Sequence, residues 1–117
     1  DTYNIDFAQK LTFDTALMYT AVDRRQVDLI AAYTSDGRVD AYGLKIIADP
    51  RNALLPYDGM LVASSSAAKN PLFLETLGAL VNRISDEAMR EANRIVDVNG
   101  GTISDAVNYL RSVIKDK

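Results

Sequence analysis

An α/β domain is the fold class this sequence predicts, and three observations carry that expectation. The run Leu29-Ile-Ala-Ala-Tyr33 is apolar with no polar alternation, the pattern of a strand covered on both faces, as in a parallel sheet. Short strand-like segments interleave with turn and helix signals over the first half of the chain. Three stretches with helical periodicity and recognisable caps then close the second half.

Taken in order, Tyr3–Phe13 alternates imperfectly and reads as a strand running into a loop. Asp14 and Thr15 offer an N-cap for a helix over about residues 16–25, with Leu17, Met18, Ala21 and Val22 as its apolar stripe. The strand Val27–Tyr33 stops at the turn Thr34-Ser-Asp-Gly37, which places Tyr33 at a strand's carboxyl end. In open α/β sheets that edge is where ligands collect. A helical turn over Arg38–Tyr42 closes at Gly43, and Leu44–Ala48 reads as a strand ending at Asp49-Pro50. Arg51–Leu55 is a loop, Pro56-Tyr57-Asp58-Gly59 a turn, and Met60–Ala63 a fourth strand with a polar exit at Ser64–Ser66. Asn70-Pro71 opens a helix carrying Leu72, Leu77, Leu80 and Val81. Ser85-Asp-Glu-Ala88 opens a second, to about Ile95, and after Asn99-Gly-Gly101 a third spans Thr102–Lys117. Four short strands are few for such a helical tail, so the chain reads as the back half of a larger fold.

Composition narrows the function. The 117 residues are 48% hydrophobic and 25% charged, close to the soluble globular average. With a net charge of −3 and Arg24–Arg25 as the only adjacent basic pair, there is no nucleic-acid footprint. No apolar run approaches the roughly 20 residues of a membrane span. Histidine and cysteine are both absent, which removes disulfides, imidazole and thiolate metal sites, Ser-His and Cys-His nucleophiles, and histidine acid–base chemistry. Ser64-Ser65-Ser66 with Lys69 invites a Ser-Lys reading, but the context is a strand exit before a helix cap. Binding is expected rather than catalysis, with no cofactor and no metal.

Four ordered blocks then carry a resemblance. Val27-Asp-Leu-Ile-Ala-Ala-Tyr-Thr-Ser-Asp-Gly-Arg38 resembles the block "VDVI-AYSTDGRI" of the substrate-binding proteins of osmoprotectant ABC importers, which take glycine betaine, choline and carnitine. Leu44–Asp49 is similar to that family's "LKVLKDD", Leu55–Gly59 to its "PPYDA", and Ile84–Met89 to its "ISDEEM". The resemblance implies part of a two-lobed periplasmic-binding-protein fold (type II, a clamshell) with parallel-rich sheets flanked by helices. Residues 1–43 would be the latter part of the second lobe and 44–117 the returning part of the first. The amino-terminal half, with its own ligand residues, would lie outside this chain, and either that half or a second copy in a swapped dimer would cover the surface left open.

A quaternary ammonium has full charge and no N–H donor, so aromatic faces suit it: the ring quadrupole attracts the cation and the ring's apolar surface matches the methyl groups. By the resemblance, Tyr33 and Tyr57 correspond to two cage tyrosines, and Thr34 is placed to touch the ligand's polar end. By composition alone, a tyrosine at the end of a buried strand is a packed residue with its hydroxyl satisfied nearby. Tyr19 reads as core, and Tyr42 and Tyr109 as anchors of helix surfaces. Asp36 and Asp58 read as Asx-turn residues, Arg38 as solvated or paired with a carboxylate, and Asp86-Glu87 as a solvent face. The first of the family's two prolines and its alanine after the aspartate are replaced here by Leu55 and Gly59. The expected partners are a small quaternary ammonium ligand and an ABC permease. The expected location is periplasmic or extracellular, membrane-associated through the transporter or a tether. The alternative is a structural or sensory fragment of the same fold, fused to a permease or receptor, that binds no ligand.

Overall fold

The computed structural model describes residues 2–115, in which α-helices and one short 3-10 turn are joined by long irregular segments. Helix α1 spans Thr15–Asp23. The Asp14 carbonyl accepts the Leu17 and Met18 amides at 2.8 and 3.1 Å, and the left-handed Arg25 (φ 56°) turns the chain away beyond the other end. Helix α2 is a single turn, Arg38–Ala41. It closes as its sequence predicts: Gly43 takes φ 60°, and the Leu44 amide returns to the Val39 carbonyl at 2.8 Å.

The second half is where local sequence signals act most directly. After a 3-10 turn at Ala67–Lys69, helix α3 (Pro71–Gly78) starts with proline at its first position and the Asn70 side chain accepting the Phe73 amide at 3.3 Å. It stops short of Leu80 and Val81, whose amides turn back to Leu77 and Gly78 before the left-handed Asn82. Helix α4 (Asp86–Asp97) is capped by Ser85, which accepts the Ala88 amide at 3.2 Å. Helix α5 (Ile103–Lys115) opens with a reciprocal cap. Asp105 accepts the Thr102 amide and hydroxyl at 2.8 and 2.6 Å, and its own amide donates to the Thr102 hydroxyl at 3.2 Å. The expected continuation of this helix to Lys117 lies outside the described residues.

The buried residues are small or aromatic: Tyr19 and Ala21 from α1, Val39 from α2, Ala88 and Ala92 from α4, and Ala106 from α5. The i, i+4 spacing of Ala88 and Ala92 gives α4 a narrow apolar seam, and α5 packs along that helix. Tyr19 is 0% exposed, as its place on α1 predicts. Its ring stacks on Tyr42 at 6.0 Å, and the Arg38 guanidinium lies 4.5 Å above it. Arg38 is not simply solvated: it holds Asp36 by two hydrogen bonds of 2.9 and 2.7 Å. Asp36 also accepts the Arg38 amide at 3.0 Å, which is the expected Asx turn.

The parallel-rich sheet does not form within the described residues. The segments read as strands, 3–13, 27–33, 44–48 and 60–63, carry no ladder pairing. The physical reason is that a strand is held by a neighbour's backbone, and these segments do not align beside one another. Their apolar side chains remain in solvent: Leu29 is 52% exposed, Ile47 71% and Val62 86%. The surface, 9636 Å², far exceeds the about 6,300 Å² of a compact monomer of this mass. The radius of gyration, 17.8 Å, likewise exceeds the about 13 Å of a compact domain of this length. The opening segment is fastened to residues 49–51: the Tyr3 hydroxyl bonds Asp49 and accepts the Arg51 amide at 2.8 Å, Arg51 stacks over the ring, and its guanidinium donates to the Thr2 carbonyl at 2.7 Å.

Candidate ligand-binding cleft

The turn Thr34–Gly37 lies flat on α4, and this contact positions Tyr33. Three side chains of α4 at i, i+4 and i+7 meet it. Asp86 accepts the Thr34 hydroxyl at 2.6 Å, Arg90 donates from Nε to the Thr34 carbonyl at 2.6 Å, and Asn93 donates to the Ser35 carbonyl at 2.8 Å. Arg90 also reaches Asp40 of α2 at 3.5 Å. At the end of the turn only glycine fits, because a Cβ on Gly37 would stand 2.4 Å from the Arg94 backbone nitrogen.

With the turn held there, Tyr33 meets Tyr57. The ring centroids are 5.4 Å apart with the planes inclined at 41°. Both rings keep open surface, Tyr33 at 53% exposure and Tyr57 at 83%. The Tyr57 hydroxyl, as hydrogen-bond partner and neighbouring charge, raises the Tyr33 phenol above its ordinary value.

The two rings sit in a broad cleft of about 1030 Å³ between the 33–35 turn, the 57–61 segment and the start of α4. Met60, Ile84 and Met89 supply soft apolar surface. Asp58 and Asp86 bring two carboxylates, and no lysine or arginine is among the described residues that line it. Aromatic faces, thioethers and carboxylates suit a methylated cation, which gains from dispersion contact and negative potential and offers no N–H donor. The same lining offers no cation to grip a ligand's carboxylate. A second hollow, about 680 Å³ between residues 7–13 and 26–31, contains Lys10 and no tyrosine.

Of the three residues singled out from sequence, Tyr33 and Tyr57 are brought into contact, and Thr34 lies beside them with its hydroxyl proton engaged by Asp86. Asp86 is exposed, as the sequence reading expects, and what that reading missed is that it also lines the cleft and bonds Thr34. Nothing local could have paired positions 52 residues apart. Met60 and Met89 were likewise invisible, since a single methionine carries no spacing signal. Ser64 and Ser66, 3.1 Å apart, serve as a turn: Ser64 Oγ accepts the Ala67 amide. No group of three or more His, Cys, Asp or Glu able to hold a metal is found among the described residues.

The family model for the substrate binding domain of the ABC-type glycine betaine transport system matches residues 1–111. The chain belongs to that family. The glycine betaine transport family carries the periplasmic-binding-protein fold, and its members are binders rather than enzymes. The carnitine transport binding protein OpuCC of Listeria monocytogenes serotype 1/2a (strain 10403S) is 32% identical over 96 residues, covering 81% of this chain and 31% of its own. A glycine-betaine-binding protein of Pseudomonas aeruginosa is 30% identical over 100 residues, covering 84% of this chain and 32% of its own. The chain thus spans about a third of the length of these relatives. No helix among the described residues is long and apolar enough to cross a membrane.

Proposed function

We propose that this chain is the carboxy-terminal part of the solute-binding component of an ABC importer, and that Tyr33 and Tyr57 are two walls of an aromatic cage for a quaternary ammonium osmoprotectant. The observation that carries the reading is the tyrosine pair, 5.4 Å between centroids, in a cleft with two carboxylates and no cationic residue among the described residues that line it. Thr34 stands at the rim, where the polar end of the ligand would lie. Glycine betaine, choline and carnitine share the methylated ammonium and differ at the other end, so the cage reads the class and not the member. Residues outside this chain would read the rest.

In this reading residues 1–43 belong to one lobe and 44–117 to the other, and the four unpaired segments take their places in parallel-rich sheets when the rest of the fold is present. The protein would work outside the cytoplasmic membrane, periplasmic or tethered at the cell surface, and hand its solute to a permease. Isothermal titration of the full-length protein with choline, glycine betaine and carnitine tests this. Binding to at least one is expected.

One observation favours a second reading. The two rings touch each other rather than standing apart around a space. A structural or sensory fragment of the same fold, fused to a permease or receptor and binding no ligand, would keep such a pair. Full-length protein that melts cooperatively yet binds none of the three solutes would establish that reading over the first.

A further inference from the structure

The rings of Tyr33 and Tyr57 suit a methylated ammonium, but the polar atoms beside them are not indifferent to the rest of a ligand. Thr34 follows Tyr33 directly, and its hydroxyl stands 2.6 Å from the Asp86 carboxylate. A carboxylate only accepts, so the proton in that bond is the threonine's. What Thr34 has left to offer a ligand is lone pairs. Asp58 and Asp86 are both exposed and both line the cleft, and among the described residues no lysine or arginine shares that lining. Arg90 donates to the Thr34 carbonyl and reaches Asp40, but it is not one of the residues that line the cleft. The rim next to the rings is therefore negative, and it is short of protons to give.

We propose that this cleft selects a quaternary ammonium alcohol over a quaternary ammonium carboxylate, and that Thr34 and Asp86 set the choice. The inference rests on the proposed solute-binding function and adds to it the chemistry of the ligand's second end. An alcohol completes a directed chain in which the ligand hydroxyl donates to Thr34 Oγ1 and Thr34 donates to Asp86, each bond polarising the next. A carboxylate in the same place adds one more acceptor to a rim with no proton to share, and its charge lies against those of Asp58 and Asp86. Choline has the alcohol without a carboxylate, glycine betaine the carboxylate without an alcohol, and carnitine has both. Choline is therefore held most tightly, glycine betaine least, and carnitine between them.

Calorimetry on the full-length protein with the three solutes tests this. The wild type should bind choline about tenfold or more tightly than glycine betaine, the worth of one hydrogen bond gained against one refused. Asp86→Asn keeps an oxygen to accept the Thr34 proton and removes only the charge. It should weaken choline about fivefold, the effect of one unit charge at the edge of water, without weakening glycine betaine. Asp58→Asn should move the two solutes in the same directions. Thr34→Val, which removes the lone pairs, should weaken choline about tenfold and leave glycine betaine little changed. A merely structural role for these residues would weaken all the solutes alike. Glycine betaine bound as tightly as choline by the wild type overturns the proposal, as do equal changes for the two solutes in Asp86→Asn and Thr34→Val. Either result leaves the solute-binding reading standing. Wild-type protein that binds none of the three overturns that reading instead.

Discussion

Gly37 rests on the backbone of Arg94 so closely that a β-carbon would stand 2.4 Å from the Arg94 nitrogen and 2.5 Å from its α-carbon. The neighbours are main-chain atoms of α4, which cannot swing aside as a flexible side chain would. Backbone strain is not the issue, since Gly37 has an ordinary helical φ of −62°. Gly37→Ala is predicted to lift the turn from α4 and lower stability by about 1–3 kcal/mol, the usual cost of overpacking. Thermal unfolding checks it, and a variant as stable as the wild type would show that the turn does not seat there.

Tyr57 is 83% exposed, so truncating it removes little packing. Tyr57→Ala in the full-length protein is predicted to weaken quaternary ammonium binding by about 0.5–2 kcal/mol, the worth of one cation–π contact. Tyr57→Phe, which keeps the ring, should retain most of the affinity. Calorimetry on both variants decides the point, and unchanged affinity in Tyr57→Ala removes this residue from the cage.

The Tyr19–Asp36–Arg38 cluster makes stability depend on pH from both sides. Burial raises the Asp36 carboxyl, but the side-chain and backbone hydrogen bonds from Arg38 outweigh it and hold the group below the usual carboxylate range. A depressed folded value contributes stability above the unfolded value of about 3.9, and that contribution is lost as pH falls through the folded value. Tyr19 has the opposite sign. Burial, then Asp36, raises its phenol, so its contribution is present below the unfolded value of about 10 and fades as pH rises through the folded one. Melting curves across acid pH should steepen in their decline below about pH 4. Asp36→Asn should flatten that decline while lowering stability at neutral pH.

Unpaired segments and exposed apolar side chains should drive self-association of these 117 residues by themselves. Leu54, Leu55, Met60 and Val62 are 77, 90, 80 and 86% exposed and lie close in sequence. Sedimentation is expected to show dimers or larger species that dissociate on dilution. A monomer at high concentration would mean that this surface is tolerated in water.

What the sequence made legible follows a physical line. Helix ends were readable because caps are local: Asn70, Ser85 and Gly43 act on groups three or four residues away. The Asx turn at Asp36 and the burial of Tyr19 were readable for the same reason. Sheet formation was not, because a strand depends on a partner that no window around Leu29 or Val62 contains. At the cleft, Tyr33 and Tyr57 came from motif resemblance, while Asp86 and Met89 needed the turn to be docked on α4 before either had a neighbour. Even α3 shows the limit: the apolar periodicity runs on to Val81, yet the helix yields at Gly78, where residues 79–82 prefer tight turns.

The hairpin of α4 and α5 has a kinetic consequence. Its two helices are linked by residues 98–102 and carry their own caps, so they can find each other before distant parts of the chain meet. Thr34 must close 52 residues of chain to reach Asp86. Relative to the five-residue connection, that loop costs about 2 kcal/mol more in entropy. The helical hairpin is therefore predicted to form first and to serve as the platform on which the tyrosines later converge. Pulse-labelled hydrogen exchange should protect amides of α4 and α5 ahead of those in the Thr34–Gly37 turn, and the reverse order would show that the cleft organises the helices.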